Sequence, residues 1–159
     1  MSDLPAAVYN MVELSPIEDI LLAILRAGLP GVAIQTLISE NAPTPFVLVR
    51  RMPGMGGWNA DARFTDEGRF FVHTFTDNPD GDQKGAILSE AVRIVLRQAW
   101  LSHVAIPGRG SIISIKMVSE PSRKSDWATS SGPVQYADLP NGLWRYESQY
   151  EIKVRKQPR

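Results

Sequence analysis

The residue types that most often carry catalysis or bind metals are sparse in this chain. It contains no cysteine, which removes thiolate catalysis, disulfides and cysteine-ligated metals. Its two histidines stand far apart, His73 within a strand-like segment and His103 near the end of a helix-like one. Neither has a second histidine four residues away, the spacing that presents two imidazoles to zinc from one helix face. We therefore expect structural roles for both histidines and no metal site.

Three further motifs lack the features that would make them functional loops. The glycine-rich segment 53–57 has no Lys-Ser/Thr ending and opens no helix, so it does not match a phosphate-binding loop. Asp77, Asp80 and Asp82 have no glutamate at the twelfth position of a calcium loop, and we expect them to cap the following helix. The segment 130–132 (Ser-Ser-Gly) lacks the strand-turn-helix setting of a nucleophile elbow. The sequence thus predicts no catalytic residue, no cofactor site and no enzyme.

Size and charge place the chain among ordinary globular proteins. Its 159 residues fit one domain, and 17 basic residues balance 17 acidic ones, which gives no global reason to bind nucleic acid or an anionic membrane. No apolar run approaches the roughly 20 residues of a membrane-spanning helix. The first ten residues include Asp3 and no basic residue, unlike a signal peptide, so a cytoplasmic protein is expected.

Two helices are predicted from local pattern. Ser15-Pro16-Ile17-Glu18 reads as a capping box with proline at the first helical position, and Gly28 is expected to supply a left-handed cap after a helix over residues 16–27. A second helix is predicted from Gln83 to Ser102. Its buried side is predicted to contain Ile87, Leu88, Ala91, Val92, Val95, Leu96 and Ala99, with Trp100 a further core candidate.

The remaining elements are strands and two long loops. Residues 145–154 alternate apolar and polar with a period of two, which predicts a strand with one buried face. Further strands are predicted at Val32–Ser39, Phe46–Arg51, Ala62–Thr76 (with a break near Gly68) and Ser111–Ser119. The loops are predicted at Met52–Asp61 and Pro121–Gly142. The fold class is therefore α+β, a single domain (residues 1–159) with an antiparallel or mixed sheet and two helices packed on one face. Residues 1–14 are interpreted as a flexible arm, and residues 154–159 as a basic tail.

Large aromatic residues in the loops indicate contacts with other proteins. Trp58, Trp127 and Trp144 lie in or beside the two long loops, and tryptophan, tyrosine and arginine dominate protein–protein hot spots. The same tryptophans also have a structural interpretation, because each could hold its own loop in place. The candidate contact residues are Arg51, Trp58, Trp127, Trp144, Arg155 and Lys156.

The order of these parts resembles a known family. Pro-Ile-Glu-Asp-Ile-Leu-Leu opens the segment 16–32, and Thr-Pro-Phe-Val-Leu-Val-Arg-Arg occupies residues 44–51. Ala-Ile-Leu-Ser-Glu-Ala-Val-Arg (86–93) and a late Gly-Pro (132–133) precede Arg-Tyr-Glu-Ser-Gln-Tyr-Glu-Ile-Lys-Val-Arg at 145–155. Over about residues 12–156 the chain resembles the tail terminator proteins of long-tailed (siphovirus-type) bacteriophages, particularly those that infect actinobacteria.

The resemblance implies a structural protein of the virion. Such a protein would assemble in the host cytoplasm into a hexameric ring at the head-proximal end of the tail. The ring would cap the tail tube, end its polymerisation and offer a surface to the head–tail connector protein. Its partners would be further copies of itself, the tail tube protein and the connector. Genome DNA would pass through its lumen without specific binding, and no membrane would be involved.

Three alternatives stay open on the sequence alone. A ring protein of the head-side connector, which closes the head, shares much of the same pattern. A small enzyme or ligand-binding α+β domain would use the two loops as lids over a pocket. A nucleic-acid-binding module would use the basic C-terminal cluster, although the neutral net charge argues against it.

Overall fold

The structure is a computed structural model that describes residues 3–11, 16–38, 43–53, 65–77, 79–124 and 143–156. Trp58, Trp127 and most of both predicted loops lie outside these ranges, and so does Ser15 of the predicted capping box. The helices are α1 (Ala6–Met11), α2 (Ile17–Gly28) and α3 (Gly81–Leu101). The strands are β1 (Ala33–Gln35), β2 (Phe46–Arg51), β3 (Thr65–Asp77), β4 (Ala105–Ile106), β5 (Gly110–Lys124) and β6 (Leu143–Lys156).

The described strands form one mixed sheet in the order β1-β2-β3-β6-β5-β4. Only the β1–β2 pair is parallel, and every other neighbouring pair is antiparallel. Helices α2 and α3 pack on the same side of this sheet. They share one apolar core with inward-facing strand residues such as Val49, Val72 and Ile152. The predicted α+β class, with two helices on one face, is confirmed.

The opposite side of the sheet, which we call the far face, has a core of its own. Phe46 and Phe75 stack there with their ring centroids 4.5 Å apart, and Leu48 completes a second buried cluster. The period of two places Phe71 and His73 on the same face of β3. Strand β2 is therefore buried on both sides, as its uninterrupted apolar run Phe46–Val49 predicts.

Helix α2 ends for a different reason from the one that the sequence suggested. The Gly28 cap prediction is wrong, because Gly28 is the last helical residue and positive φ occurs only later, at Gly31 (80°). The N–H of Leu29 closes the helix by donating to the carbonyl of Leu25. Position 28 needs glycine because α2 and α3 pack closely there: a Cβ at this position would lie 2.5 Å from Cγ1 of Val95 on α3.

Several predicted boundaries are also corrected. Strand β1 has three residues, β3 continues unbroken through Gly68, and β4 was not predicted. Strand β5 extends to Lys124, into the segment predicted as a loop, because β6 supplies a partner as far as the pair Lys124↔Arg145. Strand β6 runs through Lys156, so residues 154–156 belong to the sheet and not to a frayed tail.

The acids around the start of α3 fulfil the predicted capping role only in part, because Asp82 lies in the first turn of the helix but the N-cap side chain makes no capping bond. Asp80 is the N-cap residue but takes a left-handed conformation (φ 62°) and makes no side-chain capping bond. Asp77 instead accepts a hydrogen bond from Oγ1 of Thr44 at 2.9 Å. Asp82 accepts one from the Tyr146 hydroxyl at 2.7 Å. These carboxylates connect the start of α3 and the end of β3 to neighbouring elements.

Candidate assembly surfaces

The predicted contact residues that the structure describes lie in strands. Arg51 ends β2, where its Nη2 donates to the Glu67 carbonyl at 3.1 Å and lies 3.4 Å from Oδ1 of Asp66. Its Nη1 lies 3.9 Å from a carboxylate oxygen of Glu18 on α2. Arg51 therefore ties β2 to β3 and α2. Its side chain keeps 31% of its area exposed, so a partner contact there remains a prediction.

Trp144 lies in β6, not in the adjoining loop. It is half-buried beneath the first turn of α3, where a Cβ on Gly81 would come within 2.2 Å of its Cδ1. The Arg123 guanidinium carbon lies 5.4 Å from the centre of its ring, within range of a cation–π contact. Trp144 thus has a structural role at this end of the sheet, and its role in a partner contact stays a prediction.

The two basic residues near the C-terminus also belong to the sheet. Arg155 stands opposite Thr65 of β3 and Ser111 of β5, and it is exposed. The backbone of Lys156 pairs with Gly110. The structure therefore places Arg51, Arg155 and Lys156 towards one end of the strands and Trp144 towards the other, so it does not bring these four candidates together. Trp58 and Trp127 lie outside the described residues.

The far face contains a buried polar group that the sequence did not reveal. His73 is 3% exposed, and Arg145 nearby on β6 is 7% exposed. Burial, then the positive charges of Arg145, Arg50 and Lys124, lower the pKa of His73 from 6.5 to about 3. Glu147 lies 3.6 Å from Nδ1 of His73, too far for a short hydrogen bond, and 3.6 Å from the Lys124 ammonium. The imidazole is therefore neutral at neutral pH and has a structural role.

Several exposed large apolar side chains lie along β5 and α3. We call the first part the β5-edge surface: Trp100, Met117 and Val118, which are 41%, 37% and 40% exposed. A groove of about 400 Å³ lies at this edge. Its lining includes Trp100, Ile115 and Met117, and its charged members are Glu67, Lys116, Glu151 and Lys153. In the described part of the chain, no strand pairs with the outer edge of β5 beyond Ser111.

Helix α3 also carries an apolar stripe on its outer side. Ile87, Ile94 and Leu101 recur every seven residues and are 62%, 44% and 64% exposed. Placing Ile87 on the buried side was wrong, and Trp100 is not a core residue. The helix has apolar residues on two sides, and a sequence pattern alone does not say which side faces the sheet.

A separate apolar residue lies at the opposite edge of the sheet. Leu37 follows β1, the first strand in the sheet order, and is 73% exposed. Nothing in the local sequence pattern distinguishes Leu37 or Met117, since single exposed apolar residues are common. The signal that could have found Met117 and Val118 is their position in a long strand whose outer edge is paired only at its start, by β4.

Two features are absent from the described residues. Among them, no group of three or more His, Asp or Glu side chains is arranged to hold a metal ion. No helix in the described ranges is long and apolar enough to cross a membrane.

Comparison with known proteins finds a distant likeness in shape only. No protein-family model and no curated protein sequence matches the chain. One similar solved chain belongs to a structure described as the virion of a native gene transfer agent (GTA) particle. The two chains align with a TM-score of 0.44 and 15% identity, over 93% of this chain and 91% of the other. At that TM-score and sequence identity, no function is inferred for this chain from the likeness.

Proposed function

We propose that this chain is a structural virion protein that forms a hexameric ring. The ring caps the head-proximal end of a phage tail tube, stops tube growth and presents a surface to the head connector. The kind of assembly is proposed from the order of sequence elements, which resembles that of tail terminators from Pro16–Val32 to Arg145–Arg155. The exposed surfaces of the folded chain are the candidate contacts between its subunits.

The observation that carries the proposal is that opposite edges of one sheet bear unlike apolar groups. Leu37 is exposed beside β1, while Trp100, Met117 and Val118 are exposed beside β5. A contact between two different patches on the same subunit is heterologous, and repeating it produces a ring when the rotation closes. A two-fold dimer would instead need one patch that is complementary to itself.

The charge distribution fits a channel through which DNA passes without being held. Basic and acidic residues balance over the chain. Several partly exposed charges are paired across neighbouring strands of the sheet. On the far face, for example, Arg69 donates to Glu151 at 3.1 Å, so these two charges largely offset each other. Where basic charges are offset in this way, phosphate contacts and the release of counterions contribute little binding free energy.

The test is the mass of the purified protein by light scattering, alone and mixed with tail tubes. We expect a hexamer, either free or formed on the tube end, and tubes of limited length once it is added. A protein that stays monomeric and leaves tube growth unchanged contradicts the proposal. A ring that binds portal-bearing heads and ignores tubes identifies the head-closing connector instead.

A further inference from the structure

Helix α3 lies along strand β6, and its first buried residues are small where the strand residues are large. A Cβ on Gly81 would collide with the ring of Trp144, and a Cβ on Gly85 would lie 2.8 Å from the ring of Tyr146. Four helical residues rise about 6 Å and two strand residues span about 6.6 Å. Successive turns of α3 therefore meet alternate residues of β6.

The next turn of the helix brings two small side chains to the same level. Ser89 follows on α3 and Ser148 follows on β6, and they are 3% and 2% exposed. One turn further on, the charge of Arg93 on α3 acts on the hydroxyl of Tyr150 on β6, so the two elements are still adjacent there. Two serines fill less space between helix and sheet than a glycine and an aromatic ring do. This level therefore has polar side chains and the smallest ones along the contact.

Two buried hydroxyls at this level have no hydrogen-bond partner within the described part of the chain. They are Oγ1 of Thr74, on the adjacent strand β3, and the hydroxyl of Tyr150. Thr74 lies two residues from Val72 of the shared core, so its side chain is on the helix side of the sheet. The Ser148 hydroxyl makes one long bond, donating to the Val72 carbonyl at 3.4 Å. Burial raises the pKa of Tyr150, and the nearby Ser148 opposes this shift in part, although the two hydroxyls lack hydrogen-bond geometry.

We call Thr74, Ser89, Ser148 and Tyr150 the hydroxyl cluster. Roughly 90% or more of buried polar groups are hydrogen-bonded, because a buried hydroxyl without a partner loses its bonds to water and gains none. Folded proteins satisfy such groups with internal water molecules, each of which makes about three hydrogen bonds.

We propose that the hydroxyl cluster binds one water molecule beneath α3. The Tyr150 hydroxyl would donate to this water, and the water would donate to Oγ1 of Thr74 and to Oγ of Ser148. The Ser89 hydroxyl already donates to the Ala86 carbonyl at 2.9 Å, so the role of Ser89 is to leave room for the water. This site concerns the attachment of α3 to the sheet and does not depend on the proposed ring.

Two substitutions that keep the shape of the side chain test the bridge. Thr74→Val and Tyr150→Phe each remove one hydroxyl, and each should lower the urea midpoint by about 0.5 M if that hydroxyl is bonded to the water. Because one water joins both groups, the double variant should lose less than the sum of the two single losses. If the hydroxyls have no partner at all, removing them ends a desolvation cost, and each variant should be more stable than the unmodified protein. That result overturns the inference, and so do two losses that simply add.

Tyr146→Phe is the matched control, because its hydroxyl donates directly to Asp82 at 2.7 Å. Its loss should add to that of Thr74→Val, and coupling as large as in the test pair would assign the effect to packing and overturn the inference. A crystal structure of the unmodified protein that shows ordered waters then locates the site. Density for a water within about 3.2 Å of both Oγ1 of Thr74 and the Tyr150 hydroxyl supports the proposal. A direct hydrogen bond between these two groups, or no water between them, overturns it.

Discussion

The buried imidazole of His73 should make the protein sensitive to mild acid. Its pKa is lowered to about 3 by burial and by the positive charges of Arg145, Arg50 and Lys124. The carboxylate of Glu147 lies 3.6 Å from Nδ1 of His73 and also 3.6 Å from the ammonium of Lys124. Its negative charge is therefore partly offset by Lys124 and does not raise the pKa of His73 back to 6.5. In the unfolded chain the same imidazole titrates near 6.5. Protonation therefore favours the unfolded state, since that state binds the proton more tightly.

The sign and size of the effect follow from these two values. Stability is unaffected by His73 well above pH 6.5 and falls as the pH drops from 6.5 towards 3. The slope is about 1.4 kcal/mol per pH unit in that window. At pH 5, about 1.5 units below the unfolded pKa, the cost is about 2 kcal/mol. This figure depends little on the native value, because any native pKa below about 4 gives the same result.

The assay compares the unmodified protein with His73→Gln, whose amide stays neutral throughout. Urea unfolding is followed by tryptophan fluorescence at pH 7 and at pH 5, at concentrations where the midpoint does not depend on concentration. The other titrating groups contribute to both proteins and cancel in the comparison. We expect the unmodified protein to lose about 2 kcal/mol more than the variant, a midpoint difference of about 1 M urea. Equal losses in the two proteins would show that His73 is not the acid-sensitive group and would refute the reasoning.

Two substitutions test the packing of α3. Gly28→Ala should lower the free energy of unfolding by about 1–3 kcal/mol, because its Cβ would lie 2.5 Å from Cγ1 of Val95. Adding Val95→Ala should return part of that loss in a urea-unfolding double-mutant cycle, whereas purely additive losses would contradict the close approach. Tyr146→Phe removes the hydroxyl that donates to Asp82 at 2.7 Å and should cost about 1 kcal/mol by the same measurement. An unchanged stability would show that solvent replaces this bond without loss.

Local pattern in the sequence was sufficient for the elements whose neighbours in the chain decide their structure. The apolar stripe Ile17, Ile20, Leu21, Ile24 and Leu25 predicted α2, and all five residues are buried. The alternation over residues 145–154 predicted β6 and its two faces, and the uninterrupted run Phe46–Val49 predicted a strand buried on both sides. These elements led to the predicted α+β class. Each helix or strand has an apolar surface that must be covered, and packing helices on a sheet covers both.

The tertiary structure alone decided where distant residues meet. Gly28 is required by Val95, which is 67 positions away along the chain, and not by the local turn. Strand β5 continues into a polar segment because β6 supplies hydrogen-bonding partners, and Trp144 leaves its predicted loop for the same reason. The sequence also could not show that Leu37 lies beside one edge of the sheet and Met117 near the opposite edge, because the order of the strands in the sheet decides it. Periodicity reports how one element is divided between core and solvent, whereas an assembly surface depends on how several elements are placed side by side.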